Sequence, residues 1–249
     1  MNIEKLYFEE ELTPTFSPFK NISYSYISTK KNEENTFYNN VKNSINFEDS
    51  NFINRLNFVN RYLSIFEIGD QLEIQKIQNR GKIELLISVV KNETKKDLYS
   101  HFGFGVQILI PLLLEVLFDE SKILLIEEPE SNLHPALQSK LADFFVEIAT
   151  KFNKQLVIET HSEYIIRRMQ YLIANTHHGK NETLPKIKSE NANIYYFNDP
   201  SKLEKQSDYT YEINFKNDGG LTKPFGPGFF DVTDDIAYEL FMLKNKNFN

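Results

Sequence analysis

Cysteine is absent from all 249 residues of the sequence. Its absence excludes disulfide bonds, zinc sites built from thiolates and catalysis by a thiol. A surplus of basic residues is missing too, because the formal net charge is −7. Non-specific affinity for nucleic acid comes mainly from lysine and arginine, so any binding of a phosphate backbone requires a local basic patch or a basic partner chain.

Long apolar runs are scarce as well. The first residues, MNIEKLYFEEEL, carry charges where a secretory signal peptide has its apolar core. The longest apolar stretch, VQILIPLLLEVLF, contains a proline and a glutamate and is shorter than a membrane span. We therefore expect a cytoplasmic protein without a membrane partner. Its composition, 41% hydrophobic and 14% aromatic, is sufficient for a folded core.

The first third of the chain is weakly patterned, and then its apolar period changes. Residues 1–35 show no regular pattern, whereas apolar residues between 36 and 68 recur at helical spacing. The sequence therefore predicts a partly helical amino-terminal segment over residues 1–68. Alternation in QLEIQKI and KIELLISVV, with NRGK between them, predicts two strands joined by a turn.

A strand–helix–strand–helix unit follows this hairpin. A glycine-containing loop leads into a long apolar helix, and the buried strand ILLI comes next. The helix after it has Pro135 at its start, where a helix tolerates proline, and the strand QLVIE and a further helix follow. This order predicts an α/β fold with parallel strands and a right-handed crossover. Two more strands, NIYYF and YTYEINF, and a short last helix complete the prediction.

Polar side chains with catalytic potential lie at the ends of the two predicted parallel strands. Glu127 and Glu128 end the first strand, and Thr160 and His161 follow the second. Ligands of an open parallel sheet bind beyond the carboxyl ends of its strands, so we expect these residues to line one crevice. Two carboxylates there suit Mg²⁺ together with a water molecule activated by a general base. The loop HFGFGVQ leaves backbone N–H groups at a helix start, where an anion binds favourably.

The order of motifs resembles the carboxyl-terminal lobe of ABC/SMC-class ATPases, and most closely the RecF-like and OLD-like AAA proteins. The motifs are the glycine loop, then ILLIEEPESNLHP, then LVIETHS. GFGVQILIP is similar to a variant signature motif, GFGVSQVLP, and GPGFFD to the tail of the same subfamily. The resemblance covers about residues 70–243. It implies half of a P-loop NTPase, a parallel-sheet ABC-type lobe at 69–198, followed by a small mixed β/α extension at 199–249.

The resemblance also implies roles for individual residues. Glu127 would help to hold Mg²⁺, Glu128 would polarise the attacking water, and His161 would contact the γ-phosphate or that water. Ser131 to Leu133 correspond to the D-loop, which lies at a dimer interface. The residues implied to bind ATP come from the signature motif and the D-loop; they are Gly103, Phe104, Gly105, Gln107, Ser131 and Asn132.

Two departures from the family pattern bear on function. Gln107 stands where the signature motif has a serine, so the hydroxyl that would meet the γ-phosphate is missing. The phosphate-binding motif G-x-x-x-x-G-K-[ST] does not occur anywhere in the 249 residues. Without that loop and its lysine the chain does not form a complete nucleotide site. Either a partner chain supplies this Walker A lobe, or the chain is a degenerate subunit that does not hydrolyse ATP.

Three functions therefore remain open at the level of sequence. The first is a subunit of a composite ATPase in a hetero-oligomeric complex for anti-phage defence or DNA handling, with an effector such as a nuclease and DNA contact through the complex. The second is a catalytically degenerate scaffold that restrains an effector protein. The third, a metal-dependent nuclease, is disfavoured because no Asp-x-Asp accompanies the paired carboxylates. Simpler interpretations remain as well: a solvated turn at the glutamates, a histidine with a local hydrogen bond, and glycines that only start a helix.

Overall fold

The computed structural model describes residues 24–27, 49–79, 82–92, 95–98, 103–118, 122–198, 209–226 and 229–246. The chain divides into two compact units, Met1–Ser162 and Glu163–Asn249. The first contains β1 (Tyr24–Ile27), α1 (Ser50–Ile65), β2 (Gln71–Asn79), β3 (Lys82–Lys91), β4 (Lys95–Leu98), α2 (Phe104–Phe118), β5 (Ile123–Glu127), α3 (Pro135–Lys151) and β6 (Gln155–Glu159); the second contains α4 (Glu163–His178), β7 (Asn193–Phe197), β8 (Thr210–Asn214) and α5 (Asp231–Lys246).

A parallel sheet forms the centre of the first unit. Its described strands lie in the order β1-β5-β6, and both pairings are parallel. The α/β fold with parallel β5 and β6 is thus confirmed. Leu124 and Ile126 of β5 are buried, as expected for a strand with a neighbour on each side. Strand β1 lies in the segment that showed no pattern, because its four residues are too few to display a period.

An antiparallel sheet of β2, β3 and β4 lies between β1 and α2 in the chain. Strands β2 and β3 pair antiparallel from Gln71↔Val90 to Asn79↔Lys82, which confirms the two predicted strands; residues 80 and 81 of the predicted turn lie outside the described residues. The third strand, β4, was not predicted, because its sequence KKDL is charged and does not alternate. The predicted domain boundaries at 68/69 and 198/199 differ from the division after Ser162 and stay predictions.

An aromatic cluster joins α1 to α3. Phe144 of α3 lies 4.8 Å from Tyr62 and 5.9 Å from Phe58, measured between ring centroids. Phe58 also meets Phe152 edge-on at 5.0 Å, at the end of α3. Tyr62 and Phe144 are almost completely buried. Packing of aromatic rings in tilted and edge-on pairs stabilises the contact beyond the burial of apolar area alone, and it fixes the position of α3, which connects β5 to β6.

A buried carboxylate adds an electrostatic link at the same contact. Glu147 of α3 accepts hydrogen bonds from Arg61 of α1 and from Lys151, whose Nζ is 2.6 Å away. Burial alone would raise the pKa of Glu147, but the bonds from Arg61 and Lys151 outweigh it and hold the pKa below its ordinary value. Glu147 is therefore ionised and paired at neutral pH.

The second unit has its own aromatic cluster. Both strands predicted from NIYYF and YTYEINF are present, and in the structure β7 and β8 form an antiparallel pair. Tyr196 of β7 packs against Phe225 at 5.6 Å and Phe229 at 6.3 Å. The guanidinium of Arg167 in α4 lies 4.5 Å from the centroid of Phe230. The described aromatic residues of the GPGFFD tail therefore pack within this unit.

None of the helices in the described ranges is long and apolar enough to cross a membrane.

Candidate functional site

The carboxyl ends of β5 and β6 bring the predicted residues to one edge of the sheet. Glu127 and Glu159 are register partners in the two strands. One residue later, the N–H of Glu128 donates to the carbonyl oxygen of Glu159 at 2.9 Å. Glu128 has a φ of 42°, so the backbone leaves the strand sharply at this residue. A positive φ is uncommon outside glycine, and here it turns the second carboxylate out of the strand's alternation.

The turn after Glu128 holds one oxygen of its carboxylate. The N–H of Ser131 donates to the carbonyl oxygen of Glu128 at 3.0 Å, and the Ser131 hydroxyl donates to Glu128 Oε2 at 3.1 Å. Asn132 also has a positive φ, of 61°, which closes the turn. The bond to Oε2 fixes the plane of the carboxylate and thereby orients the other oxygen, Oε1. The Glu128 side chain is one third exposed.

His161 faces the other oxygen of this carboxylate. Its Nε2 lies 4.0 Å from Glu128 Oε1, and the imidazole is 75% exposed. Its backbone N–H donates to Glu130 Oε1 at 2.6 Å. Glu130 is buried, with 7% of its surface exposed. The buried carboxylate therefore joins the turn after β5 to the loop after β6 and fixes the distance between Glu128 and His161.

The two glycines of the predicted signature motif have different surroundings. Gly105 lies in the first turn of α2, where an added Cβ would be 2.7 Å from the Asn132 carbonyl oxygen and 3.0 Å from Leu133 Cδ2. Gly103 precedes the helix, and a Cβ there would meet nothing within 4 Å. The close approach of α2 to the turn thus requires glycine at 105, and Leu133 is buried beneath it.

The predicted site residues can now be located. Glu128 and His161 lie together, with Ser131 bonded to the carboxylate. Glu127 is half-buried at the end of β5, and Asn132 is exposed. The side chains of Phe104 and Gln107 lie outside the described part of the structure, which places only their backbone in α2. The roles implied for all of these residues stay predictions.

Two acidic residues of the site were missed by sequence reasoning. A carboxylate oxygen of Glu159 lies close to one ligand atom of Glu128 and one of His161. These three atoms are all within 4.8 Å of one another. The signal for Glu159 was its place at the end of the second strand, in LVIETHS. Glu130 gave no such signal, because only the folded turn brings its carboxylate to the N–H of His161.

This geometry is suited to proton transfer at an accessible surface. Glu128 presents one oriented carboxylate oxygen to solvent, and an imidazole lies across from it. A carboxylate placed in this way accepts a proton from water, and an imidazole donates or accepts a hydrogen bond to the reacting group. The simpler interpretation of a solvated turn does not account for the bonds that hold the Glu128 carboxylate and the backbone of His161.

Comparison with known proteins points to a family for this arrangement. Residues 4–166 match the family described as the AAA ATPase domain. No curated protein matches the chain. One similar solved structure is an SMC head bound to the C-winged helix domain of ScpA, with 15% identity and a TM-score of 0.39 over 47% of this chain and 37% of that one. Another concerns the ATP-driven dimerization and DNA-stimulated activation of SMC ATPases, with 11% identity and a TM-score of 0.39 over 65% of this chain and 91% of that one.

Proposed function

Because this chain belongs to the family of AAA ATPase domains, we propose that it forms the signature, Walker B and switch half of a composite ABC/SMC-like ATPase. A partner chain supplies the Walker A motif, and the complex binds and hydrolyses ATP. The observation that carries the proposal is the position of Glu128 Oε1, 4.0 Å from His161 Nε2 at the carboxyl edge of two neighbouring parallel strands.

Glu128 is the general base in this proposal. Its Oε2 is held by the Ser131 hydroxyl, so its Oε1 is directed toward the water that attacks the terminal phosphate. His161 lies opposite and contacts that water or the γ-phosphate. Glu130 acts on His161 as a positioning residue, because its carboxylate accepts the backbone N–H of His161.

The carboxylate donors at this edge fit Mg²⁺, which prefers oxygen ligands. Glu127, at the end of β5, would take part in holding the ion, directly or through water. Bound Mg²⁺ neutralises charge on the phosphates of ATP. Gly103, Gly105 and the backbone at the start of α2 offer N–H groups to phosphate oxygens at the positive end of a helix.

The need for a partner follows from the chemistry of the phosphates. No segment of the sequence has the glycine-rich loop with its lysine that binds the β- and γ-phosphates in this class of ATPase. The functional side chains at the edge are mainly acidic, and they repel a triphosphate unless cations offset their charge. A Walker A lysine from another polypeptide provides that cation, so ATP binds between two chains.

The test is an ATPase assay of the chain co-purified with a Walker A-bearing protein encoded beside it. The wild-type complex is expected to hydrolyse ATP, and Glu128→Gln to slow hydrolysis by about 10²–10⁴-fold, the usual contribution of a general base. Binding of a fluorescent ATP analogue should persist in this variant, because glutamine keeps the size of the side chain.

Glu182→Gln is the matched control, since Glu182 is an exposed residue of the second unit. It removes the same charge from the chain and should leave the rate unchanged. The proposal fails if the wild-type complex neither binds nor hydrolyses ATP, or if Glu128→Gln hydrolyses ATP at the wild-type rate.

The degenerate scaffold is the second candidate, and Gln107 in place of the signature serine favours it. A scaffold restrains its effector without hydrolysis. Glu128→Gln and His161→Ala would then leave restraint of the effector intact, whereas both variants abolish the function of a composite ATPase. The effect of these two substitutions on the activity of the complex distinguishes the candidates.

The biological setting belongs to the same proposal. The resemblance of GFGVQILIP and GPGFFD to a RecF-like and OLD-like subfamily supports a role in anti-phage defence or DNA handling, beside an effector such as a nuclease. With a net charge of −7, the chain contacts DNA through basic surfaces of its partners rather than alone. Survival of cells under phage challenge, with and without Glu128→Gln, measures this role.

A further inference from the structure

We propose that Glu128, Glu159 and His161 also bind a first-row transition metal ion such as Zn²⁺, and that the bound ion holds the ATPase site in an inactive state. The binding site stands on the geometry of the chain alone. Its inhibitory effect rests on the proposed function, because it assumes that Glu128 and His161 serve hydrolysis.

The geometry of the three side chains suits one ion. Their ligand atoms all lie within 4.8 Å of one another. Glu128 Oε1 and His161 Nε2 are 4.0 Å apart, whereas two ligands of a tetrahedral zinc ion, at roughly 2.1 Å each, are about 3.4 Å apart; a small movement of the exposed imidazole brings the pair to that distance. The exposed side chains of Glu159 and His161 have room to adjust, and solvent can complete the coordination with water.

An unsatisfied oxygen beside this group is the second observation. Glu130 Oε1 accepts the N–H of His161, which places the carboxylate next to the proposed ligands. The other oxygen, Glu130 Oε2, has no hydrogen-bond partner among the described residues, although Glu130 is more than nine-tenths buried. An unpaired buried carboxylate oxygen is costly unless a donor or a cation satisfies it. A cation bound at the neighbouring ligands offsets part of the charge of this carboxylate.

The donor set decides which ions bind. An imidazole nitrogen with two carboxylates suits zinc, iron, cobalt or nickel, whereas Mg²⁺ prefers oxygen ligands and retains most of its water. The site should therefore select Zn²⁺ or Co²⁺ over Mg²⁺. This selectivity separates it from the Mg²⁺ that accompanies ATP.

Inhibition follows from the shared residues. A Glu128 oxygen that coordinates a metal ion is less able to accept a proton from water, and a coordinated His161 is not available to the γ-phosphate. Glu159 is not the general base, so its replacement should weaken binding of the metal ion while Glu128 stays able to accept a proton.

The binding test uses the isolated chain of 249 residues without nucleotide. Isothermal titration should show one Zn²⁺ per chain, with at least tenfold weaker binding in Glu159→Gln and in His161→Ala, and no saturable binding of Mg²⁺ in the same range. The exposed neighbours His177 and His178 are the competing place for zinc. His178→Ala is therefore the control and should bind Zn²⁺ as the wild type does. Absence of saturable Zn²⁺ binding, unchanged binding in Glu159→Gln, or its loss in His178→Ala overturns the site.

The inhibition test uses the complex with the Walker A-bearing partner at saturating Mg²⁺ and ATP. Zn²⁺ should inhibit hydrolysis by the wild type, while Glu159→Gln, compared with its own rate in the absence of Zn²⁺, needs at least tenfold more Zn²⁺ for the same fractional inhibition. Equal sensitivity of the two overturns the inhibitory role. If the complex hydrolyses no ATP at all, the proposed function fails, and the titration of the isolated chain still decides whether the metal site exists.

Discussion

Replacing Gly105 with alanine tests the contact between α2 and the turn that carries Ser131. The new Cβ would lie 2.7 Å from the carbonyl oxygen of Asn132 and 3.0 Å from Leu133 Cδ2. Overpacking of this kind costs about 1–3 kcal/mol, and a backbone carbonyl cannot move away without moving the turn. Alanine regains up to about 1 kcal/mol through its higher helix propensity. We therefore expect a net destabilisation of roughly 0–2 kcal/mol.

Gly103→Ala is the matched control for this substitution. A Cβ at Gly103 meets nothing within 4 Å, and loss of a glycine from the unfolded chain stabilises by about 0.4–1 kcal/mol. The two variants should therefore differ by about 0.4–3 kcal/mol in the free energy of unfolding. Urea denaturation followed by far-UV circular dichroism measures this difference in the chain of 249 residues.

Hydrogen exchange locates the effect. In Gly105→Ala, amides between 128 and 133 should exchange faster, because the displaced turn loses the bond between Ser131 and Glu128. In Gly103→Ala the same amides should exchange as in the wild type. Equal stability of the two variants, together with unchanged exchange in this turn, would refute the close approach of α2 to it.

Three further predictions concern the rest of the fold. Glu147→Gln should lower the free energy of unfolding at pH 7 by about 1–3 kcal/mol. Because the pKa of Glu147 in the folded protein is held below its ordinary 4.5, this contribution is complete above pH 4.5 and is lost as the pH falls through the folded value. The difference in urea midpoint between the variant and the wild type should therefore disappear in acid. Phe144→Ala should cost about 3–5 kcal/mol in thermal or urea unfolding, whereas Ile53→Ala, at an exposed position of α1, should stay within about 0.5 kcal/mol; similar losses would contradict the position of the aromatic cluster. Gly219→Ala should destabilise the second unit by more than Gly179→Ala. Both glycines have positive φ, but only at Gly219 would a new Cβ lie 2.5 Å from a backbone oxygen of α4. Equal hydrogen exchange of the α4 amides in the two variants would contradict this packing.

The candidate site was predicted in part from the sequence. Two apolar runs of strand length, each ending in polar residues and separated by one helix, were sufficient to place Glu128 and His161 at the same edge of a parallel sheet. The same reasoning did not find β1, whose partner β5 is about a hundred residues away in the chain. Pairing between distant strands leaves little trace in a segment of four residues.

The sequence by itself determined the order of the helices and of every strand except β1 and β4, the acidic strand ends and the absence of a phosphate-binding lysine, because these depend on local period and composition. Only the tertiary structure decided which oxygen of Glu128 faces His161, that Glu159 joins them, and that Glu130 is buried against the backbone of His161. Those relations depend on the register between β5 and β6 and on the positive φ of Glu128 and Asn132. Hydrogen bonds between β5 and β6 set the register, and packing around the turn holds the positive φ angles. No short stretch of the chain specifies either feature alone.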